Sequence, residues 1–349
     1  MKSINVAVVG VGAVGEEMLR VLRQRRFPIN RLKVLARSAR DIEVDGEAYK
    51  VDVCAPEAFD GVDIALFAGT EGEKGAAVTF APEAIRRGAI VIDNGNDFRL
   101  DPNVPLVVPE CNAGDVEKHA GMIANPNCST IQMVVALKPL HVAARVRRVI
   151  VTSYQAVSGG GRLAIRELES QVRSWAGGKP IGEPEVMPRQ IAFNVIPQIG
   201  GFGDDGLTSE ERKLIQETHK ILHDETIAVT PTTVRVPVFN GHSEAIYVET
   251  ERKITAAEAV DLFSRAPGIR VINDLESEKR PYPTALDADG QDLTLIGRIR
   301  EDLFVPTGLS MWVVADNLRK GAATNAVQIA EELVNRNLVG QNRKAPVPA

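Results

Sequence analysis

The chain has 349 residues, room for roughly two domains of about 150 residues each. Its 41 basic and 46 acidic residues leave a net charge of −5, and 44% hydrophobic with 25% charged residues is the balance of a globular chain with an ample core. The acidity argues against nucleic acid or an anionic membrane as main partner, but not against a small phosphorylated substrate in a local basic pocket. Three scattered cysteines (Cys54, Cys111, Cys128) give neither a disulfide framework nor a zinc-type pairing, and they suit a reducing, cytoplasmic setting. No apolar run approaches the roughly 18–20 residues of a membrane span, and the N-terminus enters a strand-like segment with no leader pattern.

In chain order, residues 4–9 predict a strand and 16–25 a helix closed before Pro28. Strands follow at 32–35 and 63–68, a short helix at 82–87, and strands at 89–93, 105–108 and 121–124. Continuous apolar strands alternating with helices predict a parallel sheet covered on both faces. A helix at 130–140 comes next, then longer two-faced strands at 146–154, 233–239, 245–251, 293–299 and 309–315. Helices near 161–175, 208–222 and 255–265 could cover one face of an antiparallel or mixed sheet. In 233–239, Val234, Val236 and Val238 share one face, and Arg235, Pro237 and Phe239 the other. The Gly- and Pro-rich stretch 176–207 reads as a surface excursion that could serve as an interface arm. The last helix, 320–335, is expected to return to the first domain, and the tail 341–349 to be disordered. The expected division is therefore α/β: a Rossmann-type nucleotide-binding domain, 1–127 with 317–349, and an α+β domain over 128–316.

Gly10-Val11-Gly12-Ala13-Val14-Gly15 follows a strand and opens a helix, the context a dinucleotide fingerprint requires. Gly10 permits the tight turn, Gly12 lets backbone approach a pyrophosphate, and Gly15 allows close helix–strand packing, with the helix N-terminus facing the phosphates. After the second strand no carboxylate appears until Asp41, while Arg37 and Ser38 are placed to meet a ribose 2′-phosphate. That favours NADP over NAD.

Asn125-Pro126-Asn127-Cys128-Ser129-Thr130-Ile131-Gln132 ends a strand and starts a helix, and Ser129 with Gln132 matches a capping box. A cysteine there meets unpaired N–H groups and the positive helix end, which favour the thiolate and could hold an oxyanion. Cys54 and Cys111 lack this context.

Asn125–Thr130 resembles the nucleophile motif of the aspartate-semialdehyde dehydrogenase family. So do Tyr154–Gly161, Glu217–Ile221, Arg235–Glu244 and Asp316–Ala323, in the right order and across nearly the whole chain. The resemblance implies that Cys128 is the nucleophile, His242 the general acid/base, and Gln155 the residue that orients the acyl-enzyme. It implies Arg235 on the substrate α-carboxylate, Glu217 on its α-amino group, and Arg99, Asn127 and Lys220 on the phosphate. Ser158, Gly159 and Asn317 would lie by the nicotinamide. The implied reaction is NADPH-dependent reductive dephosphorylation of L-aspartyl 4-phosphate to L-aspartate 4-semialdehyde, in a homodimer with neither metal nor nucleic acid.

By residue pattern alone, His242 stands at a strand entrance after the Asn240-Gly241 turn signal, and Glu217 and Lys220 read as exposed. The chain departs from the family's Ser-rich stretches at 70–75 and at Gly95-Asn96-Asp97. Two other readings remain open: an N-acetyl-glutamyl-phosphate reductase, and a non-catalytic NADP-binding paralogue.

Overall fold

A computed structural model describes residues 3–69 and 75–340. The acidic stretch at 70–74 and the expected tail at 341–349 lie outside the described residues. Two compact units emerge: the described parts of Met1–Asn127 and Ala322–Ala349 form one, Cys128–Gly321 the other.

The first unit opens with β1 (Ile4–Val9), α1 (Ala13–Gln24), β2 (Ile29–Ala36), β3 (Arg40–Val44), β4 (Glu47–Val53) and β5 (Ile64–Phe67). It continues with α2 (Ala76–Arg86), β6 (Ile90–Asp93), α3 (Pro109–Asn112) and β7 (Met122–Ala124). Its sheet runs β3-β4-β2-β1-β5-β6-β7 and is parallel apart from β3, which pairs antiparallel to β4. Val6, Val8, Ile64, Leu66 and Ile92 of the central strands are buried, as continuous apolar strands between helical layers must be. Residues 105–108 do not form the expected strand; one parallel bridge joins Leu106 to Ala124. The helix expected at 82–87 is the second half of α2, which tolerates Pro82 within it.

The second unit contains α4 (Cys128–Ala144), β8 (Val146–Gln155), α5 (Gly161–Ala176), α6 (Ser209–Leu222), β9 (Ala228–Arg235) and β10 (His242–Thr250). Then come α7 (Ala256–Arg265), β11 (Ile269–Val271), α8 (Ala285–Ala288), β12 (Thr294–Glu301) and β13 (Gly308–Ala315). Its mixed sheet has the order β11-β12-β13-β10-β8-β9, with antiparallel pairs at the centre and parallel pairs at both edges. α4 packs on β8, β10, β12 and β13 and is covered by α6 and α7. A helix enclosed on so many sides must be apolar nearly all round, and Ile131, Met133–Leu137 and Leu140 are buried.

The sheet face under α4 is graded. Val149, Val248 and Leu309 form one apolar row, Val151, Ile246 and Met311 the next. Ser153, Glu244 and Val313 follow, and the last row brings His242 opposite Ala315. β9 ends at Arg235, so the strand expected over 233–239 is cut short, and its buried face is Pro231, Thr233 and Arg235 rather than the valine face.

The chain returns to the first unit through α9 (Thr324–Asn335), whose Val327, Ala330 and Leu333 complete that core. The return begins at Ala322, not at residue 317. Asn317 stays with the second unit because its Oδ1 accepts from the Gly241 N–H at 3.0 Å and its Nδ2 donates to Ser158 Oγ at 2.9 Å. Among the described residues no helix is long and apolar enough to cross a membrane.

Candidate active site

In the first unit β1 runs into Gly10, which has φ +99° and donates its N–H to the Leu35 carbonyl at 2.8 Å. A β-carbon on Gly15 would lie 1.9 Å from the Gly10 oxygen, so only glycine lets α1 pack this closely on the turn. Gly12 caps α1, and a β-carbon there would meet nothing within 4 Å. Open space thus lies beside Gly12 at the N-terminus of α1, and a helix N-terminus fits a pyrophosphate. Arg37 and Ser38 are exposed just beyond β2, with Arg40 donating to Ser38 Oγ at 3.2 Å. Arg99 is buried and donates to the Asn125 carbonyl at 2.9 Å and the Asn94 carbonyl at 2.7 Å. Asn127 is buried and directly precedes Cys128 in the chain.

In the second unit Cys128 is the first residue of α4, and its Sγ lies 3.3 Å from His242 Nε2. His242 opens β10 and is fully buried. Its Nδ1 accepts the Ala156 N–H at 3.1 Å. That nitrogen therefore carries a lone pair, and the ring proton sits on Nε2, facing the sulfur. Burial, reinforced by the nearby Arg235 cation, pushes the imidazole pKa well below its ordinary 6.5, so the ring is neutral.

Ala156 also fixes Arg235: its carbonyl accepts from Nη1 at 2.6 Å. One buried residue thus aligns both the imidazole and the guanidinium. Arg235 is only 7% exposed, and its buried Nε–H has no hydrogen-bond partner. Burial lowers its pKa, while Glu210 and Cys128 act in the opposite direction. A desolvated guanidinium with a donor in reserve is suited to a carboxylate. Gly159 sits against the same pair, since a β-carbon there would come 3.0 Å from Arg235 Nη1.

Gln155 Nε2 donates to Ser129 Oγ at 2.5 Å and to Glu210 Oε1 at 3.3 Å, holding its amide beside the first turn of α4. The proposed capping box is not formed. Ser129 lies inside the helix with its hydroxyl taken by Gln155, and Gln132 is buried with neither amide atom hydrogen-bonded. The loop before His242 is tied down by a relay of side chains. Asp316 accepts from Asn240 Nδ2 at 2.9 Å, Asn240 Oδ1 accepts from Ser158 Oγ at 3.0 Å, and Ser158 meets Asn317.

The structure thus gathers Cys128, Gln155, Arg235 and His242, with Ser158, Gly159 and Asn317 bracing them. Glu217 and Lys220 lie about two and three turns beyond Glu210 on α6. Contrary to the pattern-based expectation, Glu217 is buried and Lys220 half-buried, because α6 packs on both α4 and β9. Sequence reasoning missed Ala156 and Glu210, and it gave Ser129 and Asn240 other parts, a helix cap and a turn, rather than the holds on Gln155 and Ser158 they have here. A backbone role such as that of Ala156 leaves no signal in the sequence.

A family model described as semialdehyde dehydrogenase, NAD binding domain, matches residues 5–119, and one described as semialdehyde dehydrogenase, dimerisation domain, matches 137–320. The chain is 49% identical to an aspartate-semialdehyde dehydrogenase of Aquifex aeolicus over 342 residues, covering 96% of this chain and 99% of the relative. It is 47% identical to one of Bacillus subtilis, at 97% and 99% coverage. Among solved structures it is similar to Vibrio cholerae aspartate semialdehyde dehydrogenase II complexed with ASA, at TM-score 0.90, 45% identity, and 96% and 99% coverage.

Proposed function

The chain belongs to the aspartate-semialdehyde dehydrogenase family, and from that premise we propose that it converts L-aspartyl 4-phosphate to L-aspartate 4-semialdehyde with NADPH. The observation that carries this reading is the 3.3 Å contact between Cys128 Sγ and His242 Nε2 at the start of α4.

The Cys128 thiolate attacks the acyl carbon, the C–S bond forms, and the C–O bond to phosphate breaks, leaving a thioester. The N–H groups of the first turn of α4 steady the oxyanion. His242 holds its proton on Nε2, where it hydrogen-bonds first the thiolate and then the reacting oxygen, and it handles the proton exchanged with the departing phosphate. Gln155 orients the acyl group. Arg235 takes the α-carboxylate and Glu217 the α-amino group, while Arg99, Asn127 and Lys220 take the phosphate. When bound, NADPH would supply the hydride that reduces the acyl carbon; the C–S bond to Cys128 then breaks, the aldehyde leaves, and the thiolate is restored beside His242. Gly10, Gly12, Ala13, Val14 and Gly15 would hold its pyrophosphate, Arg37 and Ser38 its 2′-phosphate, and Ser158, Gly159 and Asn317 its nicotinamide end.

The same premise supports a cytoplasmic homodimer. The outer face of the second sheet, with half-exposed Tyr154 and Trp312 5.5 Å apart beside exposed Ile150, is the surface we assign to the second copy. A thiol that must stay reduced fits the reducing compartment.

The test is Cys128→Ala. Turnover should vanish while NADPH binding, followed by fluorescence titration, persists; retained turnover would overturn the assignment. Phosphate-dependent NADP reduction should proceed with aspartate semialdehyde and not with N-acetyl-glutamate semialdehyde.

A further inference from the structure

Glu244 has no part in the chemistry above, yet it occupies the row of the sheet between the last apolar residues and His242. It is fully buried. It stands two residues beyond His242 on β10, so both side chains point to the same face. Gln132 stands four residues beyond Cys128 on α4, so those two also share a face. Cys128 meets His242, and Gln132 acts on the Glu244 carboxyl in the layer beneath. Neither Glu244 oxygen and neither polar atom of the Gln132 amide has a hydrogen-bond partner among the described residues, so both buried side chains hold polar atoms in reserve.

We propose that Glu244 and Gln132 act together as positioning residues that hold Cys128 against His242, with the glutamate in its neutral acid form. This rests on the reading of Cys128 as nucleophile.

The neighbours require the neutral form. β8 presents Ser153 opposite Glu244, β13 presents Val313, α4 presents Gln132, and β10 itself presents the neutral His242. None of these is a cation that could pay for a buried carboxylate, and burial pushes the carboxyl pKa well above its ordinary 4.5. A neutral acid can donate its O–H to the Gln132 oxygen and accept from the amide N–H, clamping α4 to β10 one turn below the sulfur. A carboxylate in that place would repel the thiolate that the reaction needs.

The experiment compares Glu244→Ala, Glu244→Gln and Gln132→Met by steady-state kinetics and by the pH profile of Cys128 alkylation with iodoacetamide, followed by mass spectrometry. In E244A, loss of alignment should lower kcat about 10²-fold with little change in KM, and the alkylation midpoint should rise as the sulfur loses its donor. E244Q should restore both readouts. Q132M should reproduce the E244A pattern and serves as the probe should E244A fail to fold. An unchanged kcat and alkylation profile in folded E244A or Q132M would overturn the proposal, as would E244Q that fails to rescue. Alkylation reports the thiol rather than turnover, so a failure here is distinct from a failure of the functional reading, which Cys128→Ala tests.

Discussion

Gly321 lies so close to Cys128 that a β-carbon on it would come within 2.8 Å of the Cys128 Cβ and 3.2 Å of its Cα. The crowding is against backbone and Cβ, which cannot rotate away, so Gly321→Ala must shift the start of α4. A shift of about 1 Å at a reacting atom can cost about 10²-fold in rate, and overpacking of this kind costs about 1–3 kcal/mol of stability. We expect kcat to fall by about that factor with a measurable drop in Tm. A G321A enzyme with wild-type kcat would show that Cys128 is not held by this contact.

The nucleotide turn contains two glycines with opposite reasons for being glycine. A β-carbon on Gly15 would strike the Gly10 carbonyl, whereas one on Gly12 would enter open space. Gly15→Ala should therefore destabilise the first unit itself, visible as a lower Tm without any ligand. Gly12→Ala should fold normally but bind NADPH more weakly, because the added methyl lies where the pyrophosphate would approach. Calorimetric titration beside thermal melts separates the two. Equal melts for G15A and wild type would contradict the packing argument.

What could be read from residues alone was whatever leaves a local chemical trace. The buried strands at Ile64–Phe67 and Ile90–Asp93 are apolar on both faces, and Gly10 to Gly15 and Cys128 stand at strand–helix junctions. The hairpin of β3 and β4 was missed because both strands lie near the sheet edge and are largely exposed, so their apolar signal is thin. Its Asp45-Gly46 turn, with both residues at positive φ, was the one usable cue. Arg235 was assigned to the correct side of its strand, but the depth of that side was hidden, since Pro231 and Thr233 do not look like core. Glu217 was read as exposed because burial of a charged residue depends on which helices cover it, and that is a tertiary property. The Gln132 capping expectation failed for a similar reason: the side chain turns toward Glu244, more than a hundred residues away in the chain.

Arg235 differs from a surface arginine in that one nitrogen is fixed on the Ala156 carbonyl while the buried Nε–H has no partner. Arg235→Lys keeps the charge but loses the planar fork. We expect a fall of about 10²-fold or more in kcat/KM for aspartate semialdehyde, as when a charged hydrogen bond to substrate is lost. Because the Ala156 carbonyl also loses its donor, part of the loss should appear in kcat through the shared hold on His242. A loss confined to KM would show that Ala156 positions His242 without help from Arg235.

Stability should respond to pH through Glu244 with a definite sign. In the unfolded chain this carboxyl releases its proton near its ordinary 4.5, whereas in the folded protein burial raises the value well above that. Above 4.5 the folded state therefore holds a proton that the unfolded state has lost, and stability must fall as pH rises towards the folded value. The contribution is fully present below the unfolded value. His242 acts with the opposite sign: its folded value lies below the ordinary 6.5, so its contribution is lost as pH drops below that point. Glu244→Gln removes the first effect and leaves the second. Melting curves should show E244Q gaining on the wild type as pH rises through the window above the ordinary 4.5, where only the folded state keeps the extra proton. A Tm difference between the two proteins that stays constant across that window would mean the carboxyl is already ionised in the fold.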